Sequence, residues 1–311
     1  MHLVPETALV SGAAGPRLAA TGAILVAAGD HVLTRWRRLE DATTLTTVAP
    51  LRGRVSLLAD GRTAWGPVAF DPERGLPDPL PDVVAEATHD LGRTRGRYEL
   101  AASAIAADGM DMAVAVHYRP PQGVRERGRT EQAPAARLVL LDSDRRPRAL
   151  LRQDGELPAA TAIDFSATVV AAGLAERVEV WSRGRAAPVA ALAIGGIHAV
   201  RDLAFSPGGE WLAAITAAGR LVVWSTSSWE PAGPQRQAHA GPGNCVAWSP
   251  DAEFVASAGA EGVHVWTRGG EAVARYESST PGEGVVFVPG GRIAVSSDDG
   301  GYRVTVLRMV D

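Results

Sequence analysis

Through the second half of the chain, apolar and polar positions alternate in short runs that break at Pro/Gly turns. This period of two predicts half-buried β-strands rather than helices. The clearest runs are Leu203-Ala204-Phe205-Ser206-Pro207-Gly208-Gly209, Val246-Ala247-Trp248-Ser249-Pro250-Asp251 and Val285-Val286-Phe287-Val288-Pro289-Gly290-Gly291, each passing through an aromatic residue into a tight turn. A second strand of small and β-branched residues follows, as in Trp211 to Thr216 or Phe254 to Ser257. A third, alternating strand then ends in Trp: Val178-Glu179-Val180-Trp181, Val222-Val223-Trp224 and His264-Val265-Trp266. From first-strand aromatic to third-strand Trp the separations are 16 (Phe165 to Trp181), 19 (Phe205 to Trp224) and 18 (Trp248 to Trp266). Such regularity marks an internal repeat of about 40 residues, the signature of a propeller or solenoid.

These aromatic-Ser-Pro-Asp/Gly turns and strand-ending tryptophans resemble the WD40-repeat β-propeller family, most specifically over residues 160 to 311. The resemblance implies an all-β fold whose blades each hold four antiparallel strands, a to d from a central channel outward. Aligning backward on the a-to-b turn gives seven strand-a anchors: Leu18, Leu57, Ile105, Phe165, Phe205, Trp248 and Phe287. The strand-c anchors become Trp36, a position near Ala85, Leu141, Trp181, Trp224, Trp266 and Leu307. Only 4 residues follow Leu307, too few for a fourth strand. Leu3 to Val10 is therefore expected to form the outermost strand of the last blade, closing residues 1–311 into one seven-bladed domain and removing the open sheet edges of an unclosed array.

Two repeats run long, Leu57 to Ile105 at 48 residues and Ile105 to Phe165 at 60, against 39 to 43 elsewhere. The surplus is assigned to long b-to-c loops at 71–82 and 119–137 on blades 2 and 3. Both are expected on one face, where insertions in repeat proteins often bind.

Composition narrows the function. The chain is 46% hydrophobic and carries 31 basic against 35 acidic residues, for a net charge of -4. That balance supports a packed core and argues against the broad positive field that nucleic-acid or anionic-membrane binding needs. Every basic residue among the 31 is Arg, and the Arg, Ala and Gly excess reads first as genome composition. Cys245 is the single cysteine, so no intrachain disulfide forms, and with no apolar leader or long apolar run a soluble, cytoplasmic protein is expected.

Enzymatic signatures are absent: no Gly-x-Ser-x-Gly elbow, no phosphate-cradling loop, no His-Glu-x-x-His, no Cys pair. The seven histidines lack metal-ligand spacing, and neither metal nor cofactor is expected. The channel rim is expected to carry Arg54, Thr161, Arg201, Asp202, Asn244 and Glu283, of mixed charge. The family resemblance also implies a buried hydrogen-bond network of a loop His, a Ser or Thr, the strand-c Trp and an Asp. Here its pattern is mostly lost: His239 has the family spacing to Trp248, but Ala218 holds one Asp place and Glu261 or Ala260 the other.

The segment from Arg119 to Arg137 carries five arginines (119, 125, 127, 129, 137) against Glu126 and Glu131. Arginine presents a planar donor fork suited to carboxylate or phosphate, and an acidic peptide is the partner this suggests. Two plainer readings stand beside it, a solvated loop without function and a loop that pairs with Asp71, Glu73, Asp78 and Asp82. The leading expectation is a non-catalytic scaffold for a protein or peptide partner, binding through Tyr118, Arg125, Arg127, Arg129, Arg201 and Asp202. The alternative is an enzyme or small-ligand binder working at the channel mouth.

Overall fold

The strands pair in chain order into seven antiparallel sheets, and each sheet packs both faces against its neighbours, so the middle strands are buried almost throughout where the alternation predicts half-buried ones. The computed structural model describes residues 1–10, 17–21, 24–29, 32–37, 42–46, 54–71, 74, 82–91, 96–120, 134–154, 160–196, 199–297 and 303–310. β1 (His2–Val10) precedes blade 1, which comprises β2 (Arg17–Thr21), β3 (Ile24–Ala28), β4 (Val32–Trp36) and β5 (Ala42–Thr46). Blade 2 holds β6 (Val55–Leu57), β7 (Thr63–Trp65) and β8 (Val68–Phe70), followed by the short helix α1 (Val83–Ala87). Blade 3 is β9 (Arg97–Ile105), β10 (Asp111–Arg119), β11 (Ala136–Asp142) and β12 (Pro147–Asp154). Blade 4 is β13 (Ala162–Phe165), β14 (Val169–Gly173), β15 (Arg177–Ser182) and β16 (Pro188–Ala193). Blade 5 is β17 (Val200–Phe205), β18 (Trp211–Thr216), β19 (Arg220–Ser225) and β20 (Arg236–Gln237). Blade 6 is β21 (Gly243–Trp248), β22 (Phe254–Gly259), β23 (Gly262–Thr267) and β24 (Ala272–Glu277). Blade 7 is β25 (Gly282–Val288), β26 (Arg292–Ser297) and β27 (Arg303–Val310), completed by β1.

The ring therefore closes as the repeat count requires. β1 pairs antiparallel with β27 from His2↔Val310 to Val10↔Arg303, with one irregularity between Pro5 and Thr7. A proline is tolerated there because β1 is the outer strand, with no further ladder to supply on its free side.

Each apolar cluster of the core is a wedge between two neighbouring blades. Leu18, Leu25 and Trp36 of blade 1 meet Val288, Ala294, Val304 and Val306 of blade 7, for example, and Phe205, Leu212 and Trp224 of blade 5 meet Val178 and Val180 of blade 4. The expected strand-c anchors Trp36, Leu141, Trp181, Trp224, Trp266 and Leu307 are all buried. Strand b is rich in buried alanine, including Ala27, Ala113, Ala115, Ala171, Ala172, Ala213, Ala214, Ala256 and Ala294. Much of the alanine excess thus has a packing role, since small middle-strand side chains let the bulky c anchors of the next sheet approach.

Blade 2 departs from expectation. Its strand c is β8, reached through a tight turn at Gly66 (φ 58°), whereas Ala85 lies in α1. Residues 71–82 accordingly follow strand c instead of joining b to c, and Asp71 leaves at the Leu57 end of the sheet, opposite the b-to-c turns. The expectation that both long segments share a face is corrected: only the blade 3 segment, residues 120–135 between β10 and β11, is a b-to-c connection. Among the described residues blade 2 has three strands, and α1, capped by the Asp82 carboxylate accepting from Ala85 N at 3.0 Å, presses Val83 and Ala87 into the wedge toward blade 3. Three-residue strands are too short to show a period.

If closure holds the ring, Leu307→Ala, at a fully buried site opposite β1, lowers the unfolding free energy by about 2–5 kcal/mol. The exposed Val4 of β1 is the control, and Val4→Ala changes it by less than about 0.5 kcal/mol in the same denaturant titration.

Candidate functional site

The first strands of all seven blades line a central cavity of about 640 Å³. Arg17, Arg54, Thr161, Arg201 and Asp202 stand at the end of the cavity where strands a begin, which is also the b-to-c side of the blades. The charged residues there are tied to one another across the channel. Arg54, ahead of β6 in blade 2, donates to the Leu203 carbonyl of blade 5 at 2.6 Å and lies 3.5 Å from Asp164 and 3.8 Å from Asp202. Arg17 of blade 1 donates to the Asn244 carbonyl of blade 6 at 3.1 Å, and its guanidinium is 4.0 Å from Asp202.

Each carboxylate also accepts a backbone N–H, Asp164 from Phe205 at 2.8 Å and Asp202 from Val246 at 3.1 Å. Burial raises the Asp164 carboxyl above its ordinary range, against the pull of Arg54 and of the Phe205 and Phe165 N–H groups. Burial alone would lower the Arg54 pKa, but Asp164 and Asp202 outweigh it and hold it above the ordinary arginine value. Cys245 lines the same cavity; burial, with Asp202 nearby, pushes its thiol up to about 12, leaving it protonated and poorly nucleophilic at neutral pH.

Of the residues expected to bind a partner, Tyr118, Arg201 and Asp202 fall among the described residues. Arg201 is exposed on the channel rim, while the neighbouring Asp202 turns inward into the arginine network. Tyr118 sits near the end of β10, its hydroxyl accepting from Gly96 N at 2.8 Å and its ring edge-on to Tyr98 at 5.4 Å. Arg125, Arg127 and Arg129 lie outside the described residues. Two arginines grouped with them by sequence belong to strands: Arg119 ends β10, and Arg137, in β11, is buried and forks onto Asp90 at 2.6 and 3.0 Å while donating to the Ala87 carbonyl at 3.0 Å. Arg137 thus anchors α1 and is lost to any partner.

Sequence reasoning missed the reach of Arg54 and the presence of Asp164. A strand alternation shows which residues point inward, but not which cross a channel to another blade. It also undervalued Glu261. In blade 6, His239 Nε2 lies 3.0 Å from Ser257 Oγ, Trp266 Nε1 donates to the same hydroxyl at 3.1 Å, and Glu261 meets His239 Nδ1 at 3.1 Å and accepts from Ala240 N at 2.7 Å. The network expected to be mostly lost is complete in this blade, with Glu in place of Asp. Trp181 of blade 4, by contrast, buries its indole N–H with no hydrogen-bond partner among the described residues.

Burial lowers the pKa of His239, with His264, stacked on it at 4.8 Å, adding to the effect; Glu261 opposes both. Burial likewise lowers His264, faced by Glu261, Arg275, Glu277 and the Ala238 backbone. Both imidazoles are therefore neutral in the fold and gain protons more readily once unfolded. Their contribution is complete above the unfolded pKa of about 6.5 and falls away below it, by at most about 1.4 kcal/mol per pH unit for each ring. Denaturant unfolding from pH 7 to 5.5 should show this decline, and His239→Gln should flatten it; a wild-type curve without slope would refute the assignment. For the channel, Arg54→Met and Asp164→Asn should couple, with a double-mutant interaction of about 0.5–3 kcal/mol in the same assay.

Among the described residues no group of three or more His, Cys, Asp or Glu side chains is placed to hold a metal ion, and no helix is long and apolar enough to cross a membrane. The chain matches the family model of the WD domain, G-beta repeat, over residues 195–225 and 235–267, which cover the four strands of blade 5 and the a, b and c strands of blade 6. No curated protein matches it. Two sequence-matched WD domain, G-beta repeats thus sit in a ring of seven like sheets, which bears out the resemblance to WD40-repeat propellers read from the sequence.

Proposed function

We propose that the protein is a non-catalytic, cytoplasmic scaffold that docks a protein or peptide partner on the face bearing the channel mouth and the blade 3 b-to-c segment. WD40 propellers generally serve as platforms for protein partners, which supports the class of function. One observation carries the choice of face. In blade 3 the innermost strand is nine residues long, against three to seven in the other blades, and its ladder with β10 runs past the start of β11 through Tyr98↔Tyr118 and Arg97↔Arg119. A two-stranded extension therefore lies on the b-to-c side of blade 3, the side on which Arg201 of blade 5 is exposed, and β10 continues in sequence into the segment with Arg125, Arg127 and Arg129.

Tyr118 stiffens the ribbon, the four arginines supply planar donors for carboxylates, and Asp202 holds Arg54 and Arg17 in place below. The net charge of -4 supports a protein partner over nucleic acid or a membrane. A channel-mouth enzyme finds less support, because the carboxylates there are occupied by arginines and N–H groups and the one thiol stays protonated. Affinity capture from an extract of the source organism tests the reading. Wild-type protein, a version with residues 121–134 replaced by a Gly-Ser link, and Arg201→Glu should be compared, and the two variants are expected to lose the same partner. Capture that neither change alters would overturn the choice of face.

A further inference from the structure

The two-stranded ribbon of blade 3 has two unlike sides. Tyr98, Leu100 and Val116 point toward α1 and the blade 2 wedge, where Tyr98 donates to the Pro134 carbonyl at 2.8 Å. Arg97, Glu99, His117 and Arg119 occupy the other side. There Arg97 and Arg119 are direct cross-strand partners, and Glu99 is opposite His117. Like charges placed opposite one another destabilise a ladder, so the pair needs a carboxylate between the two guanidinium groups. Glu99 is that carboxylate: Arg97 donates to its Oε1 at 2.9 and 2.7 Å, Arg119 lies 3.4 Å from the same oxygen, and His117 Nε2 is 3.7 Å from Oε2. Together the two arginines and the histidine pull the Glu99 pKa down despite its desolvation.

Among the described residues one carboxylate thus serves two guanidinium groups and an imidazole, and the guanidinium groups are strongly exposed, with side-chain exposures of 74% for Arg97 and 60% for Arg119. Adjacent ion pairs do not neutralise the surplus, because Arg152 and Arg177 are matched by Asp154 and Glu179. The backbone carrying the strip is stiff, being hydrogen-bonded at Gly96 N to Tyr118 and at Tyr118 N to Ala135. A rigid strip with fixed donor forks loses little freedom when a second carboxylate arrives.

We infer that the Arg97/Arg119/His117 side of the blade 3 ribbon is a docking strip for an acidic peptide segment, whose Asp or Glu side chains take the carboxylate places that Glu99 alone cannot fill. The inference rests on the reading of this face as the docking face and narrows it to one ribbon and one partner chemistry.

Fluorescence anisotropy with a labelled octaglutamate peptide tests it, with a Gly-Ser peptide and a single-stranded oligonucleotide of similar length as comparison probes. Octaglutamate should bind at least about tenfold more tightly than the Gly-Ser peptide and weaken as salt is added. Arg97→Glu and Arg119→Glu should each weaken it about tenfold, whereas Glu99→Gln, which frees the cations, should tighten it several-fold. Opposite signs from neighbouring substitutions cannot come from misfolding. The strip is refuted if octaglutamate does not bind, if the arginine variants bind as wild type does, or if Glu99→Gln weakens binding; stronger binding of the oligonucleotide refutes the peptide assignment. Loss of octaglutamate binding on replacing 121–134 alone would place recognition in that segment, sinking the strip and sparing the docking face. The expected variant pattern, in a protein whose partner capture ignores both 121–134 and Arg201, would uphold the strip and sink the wider reading.

Discussion

Everything in this molecule depends on apolar wedges that close on themselves. A single blade has two apolar faces and cannot bury either alone, so each is stable only between neighbours. The wedge joining blades 7 and 1 is therefore as necessary as any other, and it forms because Val288, Ala294, Val304 and Val306 find Leu18, Leu25 and Trp36 at the far end of the chain. The β1–β27 ladder then fixes the register of that meeting. Once the ring is shut no blade can shift without opening two wedges, and this rigidity fixes where the extended ribbon of blade 3 lies.

Within that frame, arginine takes on between blades 3 and 4 the work that the buried His-Ser-Trp network does in blade 6. Blade 6 keeps its network, with Glu261 accepting from the His239 side. Blades 3 and 4 are bolted by ion pairs instead: Arg183 of blade 4 forks onto Asp108 at 2.8 and 3.1 Å and reaches Asp111 at 2.6 Å, while Arg152 of blade 3 bridges to Glu179 of blade 4. Asp111 and Glu179 are both nearly buried, so the pairs act where solvent screening is weak. A planar guanidinium can hold two acceptors on different blades at once, which a lysine ammonium does less directionally. The all-arginine composition, which looks like a genomic habit in the sequence, is thereby put to structural use.

The architecture was legible because it repeats. An anchor such as Phe205 or Trp224 gains meaning from its counterparts in other blades, and degenerate anchors such as Leu18 and Leu307 could be placed by spacing alone. Blade 2 escaped because its strands are three residues long and its expected strand c is the helix around Ala85. The site was less legible, for a different reason. Arg54 and Asp164 are 110 positions apart and on different blades, so their pairing follows from channel geometry, which no local pattern encodes. Arg137 misled in the opposite sense: it closes an arginine-rich run in sequence, yet strand c turns it into the wedge toward Asp90.

The same contrast explains why recognition should gather on blade 3. Charges inside the channel are already matched, Arg54 by Asp164 and Asp202, and the outer bolts are matched by Asp108, Asp111 and Glu179. Matched charges hold a structure together but offer little to a newcomer, because a partner must first displace what is there. At the ribbon the balance is different: among the described residues Arg97 and Arg119 face each other across the ladder over Glu99 alone. That arrangement is tolerable for the isolated protein because solvent screens exposed charges. It becomes favourable when a carboxylate is supplied from outside, which is why the docking strip we propose is set on this ribbon rather than in the larger channel.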